Sequence, residues 1–378
     1  MKKSEIIVFV TTSVLQLVGL WFGYSYINQM SNQGDWTFGW ILSVIAVTLV
    51  SIGIGIPLNL IIHELGHLLG GLLTGWKFVF FSIFKLAFVK RNGNIQVVKC
   101  KPNGLNGSVA LSPPQLKNDM IPYKGYFFSG ALMNILVAGI CFPLFFHFAS
   151  HMTFLARTFL VIGLLSLDGI ANLVPILGAN ATDGYQLLTL GSKQNIEARL
   201  NFWRASRLSA LTVDGCPPRD IPTSYFQGIT STSRINDMYS FGVALAKYLH
   251  LFDKGEEEKA LLYLQDLQEL VATPYRPQVN IYLLFHELIG ECREEEVNRL
   301  YTEEIQKIAR AYRFDIGVQR VLYAYARLFA KDTQMAKEQL EAFHKARTRY
   351  AINFGSIALE EELIVRIDKI ADERGVSK

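Results

Sequence analysis

The sequence from residue 60 to residue 70 reads Leu60-Ile61-Ile62-His63-Glu64-Leu65-Gly66-His67-Leu68-Leu69-Gly70, an H-E-x-x-H motif within an apolar run. On a helix, residues i and i+4 lie on one face, so His63 and His67 can offer two imidazole nitrogens to one metal ion. Glu64 then lies close enough to accept a proton from a water at the metal without being a ligand itself. Because the neighbouring residues are Leu, Ile or Gly, the helix is predicted to lie in lipid. Three ionisable groups are costly there and indicate a functional site.

The acidic residues divide the chain into two parts. Of the 33 Asp and Glu residues, only six precede residue 193 and the other 27 follow it. This distribution predicts a transmembrane domain over residues 1–192 and a soluble domain over residues 193–378. The net charge of +4 is small and dispersed, so we expect no nucleic-acid partner. The four cysteines show no C-x-x-C spacing, which argues against a disulfide framework and against a cysteine zinc site.

Four apolar segments are long enough to cross a bilayer, and they cover residues 6–27, 36–76, 126–148 and 159–175. The first is interpreted as a retained span, because no small-residue cleavage site follows it. The second contains Gly53-Ile54-Gly55-Ile56-Pro57, which would either kink one long helix or separate two helices.

Basic residues predict the orientation of these spans. Eight of the eleven Lys and Arg residues in the first 192 positions lie between residues 77 and 124, so this loop is expected to be cytoplasmic. Two crossings by residues 36–76 would place the loop outside, and we therefore prefer one kinked crossing. The expected protein is a multi-pass cell-membrane protein with a cytoplasmic C-terminal domain. The lack of targeting sequences favours a bacterial membrane.

The cytoplasmic loop contains a hairpin signal. Apolar segments flank Arg91-Asn92-Gly93-Asn94, and Asn-Gly is typical of a tight turn between antiparallel strands. We predict a β-hairpin over residues 78–100 that lies against the membrane surface. Its edge could bind an unwound substrate segment by strand addition.

The C-terminal part is predicted to consist of stacked helix hairpins. Three blocks, residues 238–270, 281–310 and 321–347, each contain an aromatic-rich helix, a charged turn and a second amphipathic helix. Their spacing is near the period of helical-hairpin repeats, and they loosely resemble tetratricopeptide-type repeats. Residues 212–234 are rich in Pro, Ser, Thr and Gly and are interpreted as a linker or an irregular loop. The predicted fold class is thus an all-α polytopic membrane protein with about four spans and a small membrane-associated β-hairpin, joined to an α-helical soluble domain.

Two histidines do not complete a catalytic zinc site, which usually has three protein ligands and one open position. None of the other five histidines is well placed along the chain to be the third ligand. Asp168 and Asp183 are the acidic candidates at a suitable depth.

The membrane half resembles the site-2 protease family of intramembrane zinc metalloproteases. The resemblance covers residues 36 to about 190 and is carried by the H-E-x-x-H motif, by Gly130-Ala131-Leu132-Met133-Asn134, by Asn172-Leu173-Val174-Pro175 and by Asp183-Gly184. It implies one Zn²⁺ per chain, held by His63, His67 and Asp183, with Glu64 as general base. It also implies that Asn172 helps to hold the substrate backbone or the oxyanion.

The resemblance is incomplete around the third ligand. Asp183 follows Asn172 by eleven positions, which is longer than the usual family spacing, and Thr182 precedes it in place of Leu. Leu167-Asp168-Gly169 has the family's letters but lies before the Asn-Pro element. We prefer Asp183 because chain order constrains geometry more than a tripeptide does. Asp168 is then expected to form hydrogen bonds within the helix bundle or to help place Asn172. Pro175 and Gly178 are expected to end the helix.

These features together predict a zinc metalloendopeptidase that cleaves a membrane-anchored protein or a signal-peptide remnant. The C-terminal domain would recruit a protein partner or present the substrate. An alternative is a catalytically silent relative that binds membrane segments as a regulator or scaffold, but such a protein has no need of Glu64. A zinc transporter is disfavoured because no further charged or histidine-rich path crosses the spans.

Overall fold

A computed structural model describes residues 3–31, 37–99, 107–177, 181–192, 195–226, 234–349 and 353–376. These residues form two compact units. The first comprises Met1–Lys77, Gly107–Val109 and Pro114–Ile196, and the second comprises Phe78–Asn106, Ala110–Pro113 and Glu197–Lys378. Gly178 and residues 227–233 of the predicted linker lie outside the described residues. The described part of that segment is packed and not a free linker, since Ile221 and Phe226 are buried.

The first unit is built from helices. They are α1 (Lys3–Met30), α2 (Phe38–Leu73), α3 (Tyr123–Phe148), α4 (Thr153–Ser166), α5 (Asp168–Ala171) and α6 (Asp183–Gly191). Among the described residues, four helical segments are long and apolar enough to span a membrane: Glu5–Met30, Phe38–Leu73, Tyr123–Phe148 and Thr153–Ala171. The coarse prediction of a mostly helical protein with four candidate spans is confirmed.

The fourth candidate span begins at Thr153, so the predicted start at Phe159 was wrong. The reason is Arg157, whose charge marks a boundary in the sequence but which is buried in the structure. Its Nη1 donates a hydrogen bond to Ser43 Oγ at 2.5 Å, and its guanidinium lies 5.2 Å from the ring centroid of Trp40. A paired arginine of this kind can continue a membrane helix.

Helix α2 is one continuous helix through Pro57. Its 36 residues correspond to about 54 Å of helix, well beyond the roughly 30 Å of a bilayer core. Asn59 lies one turn from the site motif, where its side chain donates to Gly55 O at 2.9 Å and accepts from Ser166 Oγ at 2.5 Å. The bond from Ser166 joins α2 to α4, and together the two bonds satisfy the buried amide of Asn59.

Small residues bring α2 and α3 together. A Cβ on Gly66 would lie 2.8 Å from the Cα of Gly130 and 2.9 Å from Cγ of Met133, and one on Gly70 would collide with Ser129. Only glycine permits such an approach between helix backbones. Gly66 and Gly70 therefore serve close helix packing, and this packing places the H-E-x-x-H turn directly against α3.

The predicted hairpin is part of a four-stranded sheet with the order β3-β2-β1-β4. Its strands are β1 (Lys77–Ile83), β2 (Leu86–Arg91), β3 (Asn94–Lys99) and β4 (Gly107–Ser112). Asn92 and Gly93 both have positive φ and join β2 to β3 with Arg91 opposite Asn94, as the Asn-Gly signal predicts. The prediction of a two-stranded hairpin was wrong, because β1 also pairs with β2 and β4 pairs with β1. Strand β4 was missed because its small side chains gave no clear strand pattern.

The sheet packs within the second unit through residues of β1 and β2. Val79, Phe80, Ala87 and Val89 form a buried cluster with Val213 of α7 (Ile196–Asp214). Backbone contact accompanies this packing, since the Asn92 N–H donates to Oδ1 of Asp214 at 2.8 Å.

The remaining helices form the C-terminal part of the second unit. They are α8 (Met238–Asp253), α9 (Glu257–Leu270), α10 (Arg276–Ile289), α11 (Glu294–Leu300), α12 (Glu303–Ala311), α13 (Ile316–Ala324), α14 (Thr333–Arg349) and α15 (Phe354–Glu373). Short 3₁₀ helices cover Pro218–Asp220, Thr223–Phe226 and Thr273–Tyr275, and a π-helical turn covers Tyr325–Ala330.

The first predicted block is the α8–α9 pair, but the second contains three helices instead of two. The chain breaks after Leu300 because the Thr302 side chain accepts a hydrogen bond from Ile305 N and caps a new helix. A buried ion pair lies further inside: Arg320 Nε contacts Glu360 Oε2 at 2.6 Å, and the guanidinium covers the ring of Phe285 at 3.8 Å.

Candidate metal centre

Three side chains meet in the first unit. Nε2 of His63 and Nε2 of His67 are 3.1 Å apart, and each lies 3.2 Å from Oδ2 of Asp183. The side chains of His63, His67 and Asp183 are 14%, 9% and 13% exposed, so the group is largely buried but still accessible to solvent. This group could hold a metal ion.

The contacts of His67 define which nitrogen faces the group. Its Nδ1 lies 2.7 Å from the backbone oxygen of Tyr126, and a carbonyl can only accept, so Nδ1 carries the proton in the neutral ring. Nε2 then presents a lone pair toward the Asp183 carboxylate. The lone pairs of Nε2 and the carboxylate repel each other unless a proton or a cation lies between them. A metal-ligating histidine typically has the same arrangement, with one ring nitrogen facing the metal and the other donating to a carbonyl.

The spacing of the ligand atoms also fits a metal. Ligand atoms at zinc distances on a tetrahedron lie roughly 3.3 Å apart, close to the observed separations. Burial opposes ionisation of the Asp183 carboxyl, but the two imidazoles outweigh burial and hold the pKa of Asp183 below its usual value, because an imidazole that carries a proton on Nε2 donates a hydrogen bond to the carboxylate. A carboxylate is also the form of Asp183 that binds a metal ion.

The long gap between Asn172 and Asp183 is closed by local hydrogen bonds. The Thr182 hydroxyl donates to Val174 O at 2.7 Å and accepts from Ile176 N at 3.0 Å. It also caps α6, so that Asp183 is the first residue of a helix. The Gly184 N–H donates to Asn172 O at 3.0 Å. A side chain at this position would collide with the backbone of Leu173, so the close approach requires glycine. The chain thus folds back on itself and returns Asp183 to the histidines.

Asn172 lies beside the ligands. Its Nδ2 donates to Asp183 Oδ2 at 2.6 Å and lies 3.2 Å from His63 Nε2. In this arrangement its amide orients the carboxylate of Asp183. The oxyanion role that the family resemblance implies stays a prediction.

Asp168 is held elsewhere in the bundle. Its Oδ1 accepts a hydrogen bond from Gln16 Nε2 of α1 at 2.8 Å, and the same amide nitrogen lies 3.3 Å from Leu164 O. Among the described residues, the cluster of possible metal ligands contains Asp183 and not Asp168. The expectation that Asp168 forms a hydrogen bond within the bundle agrees with this contact.

Glu64 lies next to the ligands and to one strand of the sheet. Its half-buried carboxylate interacts electrostatically with His67, His63 and Asp183 and accepts a hydrogen bond from the backbone of Val109 in β4. The Val109 carbonyl accepts a second hydrogen bond, from Tyr126 Oη at 2.9 Å. Tyr126 therefore contacts both β4 and His67.

Tyr126 and Val109 are site residues that the sequence did not reveal. Tyr126 acts on His67 through its backbone, and its ring stacks on Trp76 with centroids 4.8 Å apart. Backbone contacts of this kind leave no signature in residue type. The position of Tyr126 four residues before Gly130, on the small-residue face of α3, was the only available hint.

Gly130 leaves space for the imidazoles, and this gives a test of the site. We expect Gly130→Ala to lower metal affinity about tenfold or more, because a Cβ there would lie 2.6 Å from both Cε1 and Nε2 of His67 and would turn the ring. Titration of purified protein against a chelator measures the effect. Gly139→Ala on the same helix is the matched control, since a Cβ there meets nothing within 4 Å. Equal affinities of the two variants would contradict the geometry described for His67.

Comparison of the chain with protein-family models, with curated proteins and with solved structures found no match in any of the three. The resemblance to site-2 proteases therefore stays a prediction.

Proposed function

We propose that this protein is a zinc-dependent intramembrane endopeptidase. One observation carries the proposal: His63, His67 and Asp183 converge within 4.8 Å, with Glu64 beside them, on an apolar helix long enough to span a membrane. Three metal-ligand atoms facing one point, next to an acid that is not among them, are typical of hydrolytic zinc sites.

The residues divide the chemistry of peptide hydrolysis between them. Zinc held by His63, His67 and Asp183 would supply Lewis acidity toward the scissile carbonyl and the attacking water. Glu64 accepts a proton from that water as the carbon–oxygen bond forms and returns it to the leaving amine as the carbon–nitrogen bond breaks. Asn172 and Tyr126 keep the ligands in place. The partial exposure of the site is consistent with the access of water that this reaction needs.

The substrate is a membrane-anchored protein or a signal-peptide remnant, which must unwind to expose a carbonyl. The sequence predicts strand addition at the hairpin of residues 78–100, but the edge strand of the sheet that contacts Glu64 is β4. Val109 already uses its N–H and its carbonyl to contact Glu64 and Tyr126. A substrate strand would exchange for these two contacts and thereby release the general base at the moment of binding.

The proposed organisation places residues 1–192 in the cell membrane and residues 193–378 in the cytoplasm. The second part would recruit a protein partner or present the substrate. No nucleic acid enters this proposal.

A comparison of membrane proteomes tests the proposal. Cells that carry the Glu64→Gln variant are expected to accumulate membrane-anchored fragments that disappear in cells with the wild type. Such fragments would also identify the substrates. Identical proteomes, at equal protein abundance and with zinc bound, would contradict proteolysis and favour a silent, membrane-segment-binding protein.

A further inference from the structure

A groove of about 570 Å³ lies in the second unit among α12, α13 and α14, and no residue of the metal centre lines it. Its floor is apolar and includes Leu322, Met335 and Ala342. These side chains are only partly buried, although they belong to the packed faces of their helices. An apolar floor of this size can accommodate a side chain from another molecule.

The rim of the groove is positively charged. Arg310, Arg313 and Lys345 line it and are exposed, and no Asp or Glu is among the lining residues. The described residues contain no carboxylate paired with any of these three cations. The same domain pairs other arginines closely, as Arg299 with Glu296 and Arg347 with Glu361. The unpaired cations therefore complement a ligand with negative charge.

Gln319 gives an independent indication of a ligand. It lines the groove, only 3% of its surface is exposed, and its side chain forms no hydrogen bond within the described residues. Most of Gln319 is buried, but its amide meets the open space of the groove, where it can pair with a ligand. A primary amide offers a donor and an acceptor side by side, which matches the N–H and the carbonyl of an extended peptide.

We propose that this groove binds an extended peptide segment in which an apolar side chain is flanked by Asp or Glu. The apolar side chain enters the floor, Gln319 pairs with the peptide backbone, and the rim cations pair with the carboxylates. This is the chemistry expected of a partner or substrate segment that is captured outside the membrane. It does not depend on the metal centre.

A single-stranded nucleic acid fits the groove less well. Bases bind such surfaces by stacking on free aromatic faces. The two aromatic residues of the groove are already covered: Tyr301 lies 4.1 Å from the ring centroid of Tyr325, and the Arg313 guanidinium lies 5.1 Å from that of Phe314.

Fluorescence polarisation with labelled peptides tests this proposal. The full-length protein with Glu64→Gln is used in detergent, so that no peptide is cleaved and the outcome does not depend on proteolysis. The probes are decapeptides with a central Leu flanked by Asp and Glu, matched peptides with Asn and Gln, and matched peptides with Lys. We expect the acidic series to bind about tenfold more tightly than the amide series at low salt, and this preference to decrease as salt screens the charges.

Variants locate the binding. Arg310→Gln with Arg313→Gln is expected to weaken the acidic peptide about tenfold and to flatten its salt dependence. Gln319→Leu is expected to weaken it to a similar extent but to keep the salt dependence, because it removes only backbone pairing. Lys307→Gln with Lys337→Gln is the control, since it removes two exposed charges from α12 and α14 at positions that do not line the groove.

Three results would overturn the proposal. They are the absence of binding by the acidic series, equal binding of the acidic and amide series, and equal effects of the groove and control variants. Displacement of the peptide by a labelled oligothymidylate, with tighter binding of that probe, would instead identify a nucleic-acid site. Circular dichroism and chelator titration of each variant separate a folding defect from a loss of binding.

Discussion

Glu64→Gln is expected to lower the rate of peptide-bond hydrolysis by about 10²- to 10⁴-fold and to leave zinc bound at full stoichiometry. Glutamine preserves the size of the side chain and can still interact with Val109, but it cannot accept a proton. The ligand atoms of His63, His67 and Asp183 are untouched by the change. If Glu64 were instead a zinc ligand, the substitution would lower the zinc content together with the rate.

Two measurements on one preparation separate these outcomes. Elemental analysis gives the zinc content, and single-turnover cleavage of a fragment that accumulates in the variant cells gives the rate. Glu5→Gln is the matched control, because Glu5 is the only other glutamate before residue 193 and lies in the first turn of α1. Undiminished hydrolysis by Glu64→Gln would assign the general base to another group.

The second large effect concerns the two candidate aspartates. We expect Asp183→Asn to lower zinc affinity by at least about 10²-fold, since loss of a ligand exceeds the 10- to 100-fold loss typical of residues that only orient ligands. We expect Asp168→Asn to keep its affinity within about twofold, because an amide at position 168 can still pair with Gln16 in α1. Competition with a calibrated chelator measures both affinities.

The two substitutions make the same chemical change, so each is the control for the other. Equal losses would mean that the carboxylates contribute only charge to the site. A loss confined to Asp168→Asn would reject the ligand set described above. Iron, cobalt or manganese in place of zinc in the wild type would keep the ligand set and change the cofactor.

The sequence was most informative where chemistry and helical period coincide. His63, Glu64 and His67 need only the i, i+4 geometry of one helix, so their proximity could be predicted without knowledge of the fold. Asn92 and Gly93 predicted their turn for a similar reason, since both adopt positive φ. Long-range placement was harder. Asp183 could be preferred to Asp168 from chain order, but only the hydrogen bonds of Thr182 explain how it returns to the histidines.

Contacts made through backbone atoms could not be predicted. Strand β4 consists largely of small residues, and Tyr126 orients His67 by its carbonyl, which any residue possesses. The extra break at Thr302 was hidden because amphipathic periodicity continues on both sides of it. Buried Arg157 misplaced the start of a span, because its partners Ser43 and Trp40 are more than a hundred positions away.

The origin of the ligands has a consequence for how the bundle holds together. His67 lies near the end of α2, whereas Asp183 begins α6, and 116 positions of chain separate them. A metal ion bound by both would act as a cross-link that closes a loop including α3 and α4. Closing so long a loop removes conformational freedom from the unfolded chain, in the way a disulfide does. A bound zinc ion would therefore stabilise the folded helix bundle in addition to its proposed role in hydrolysis.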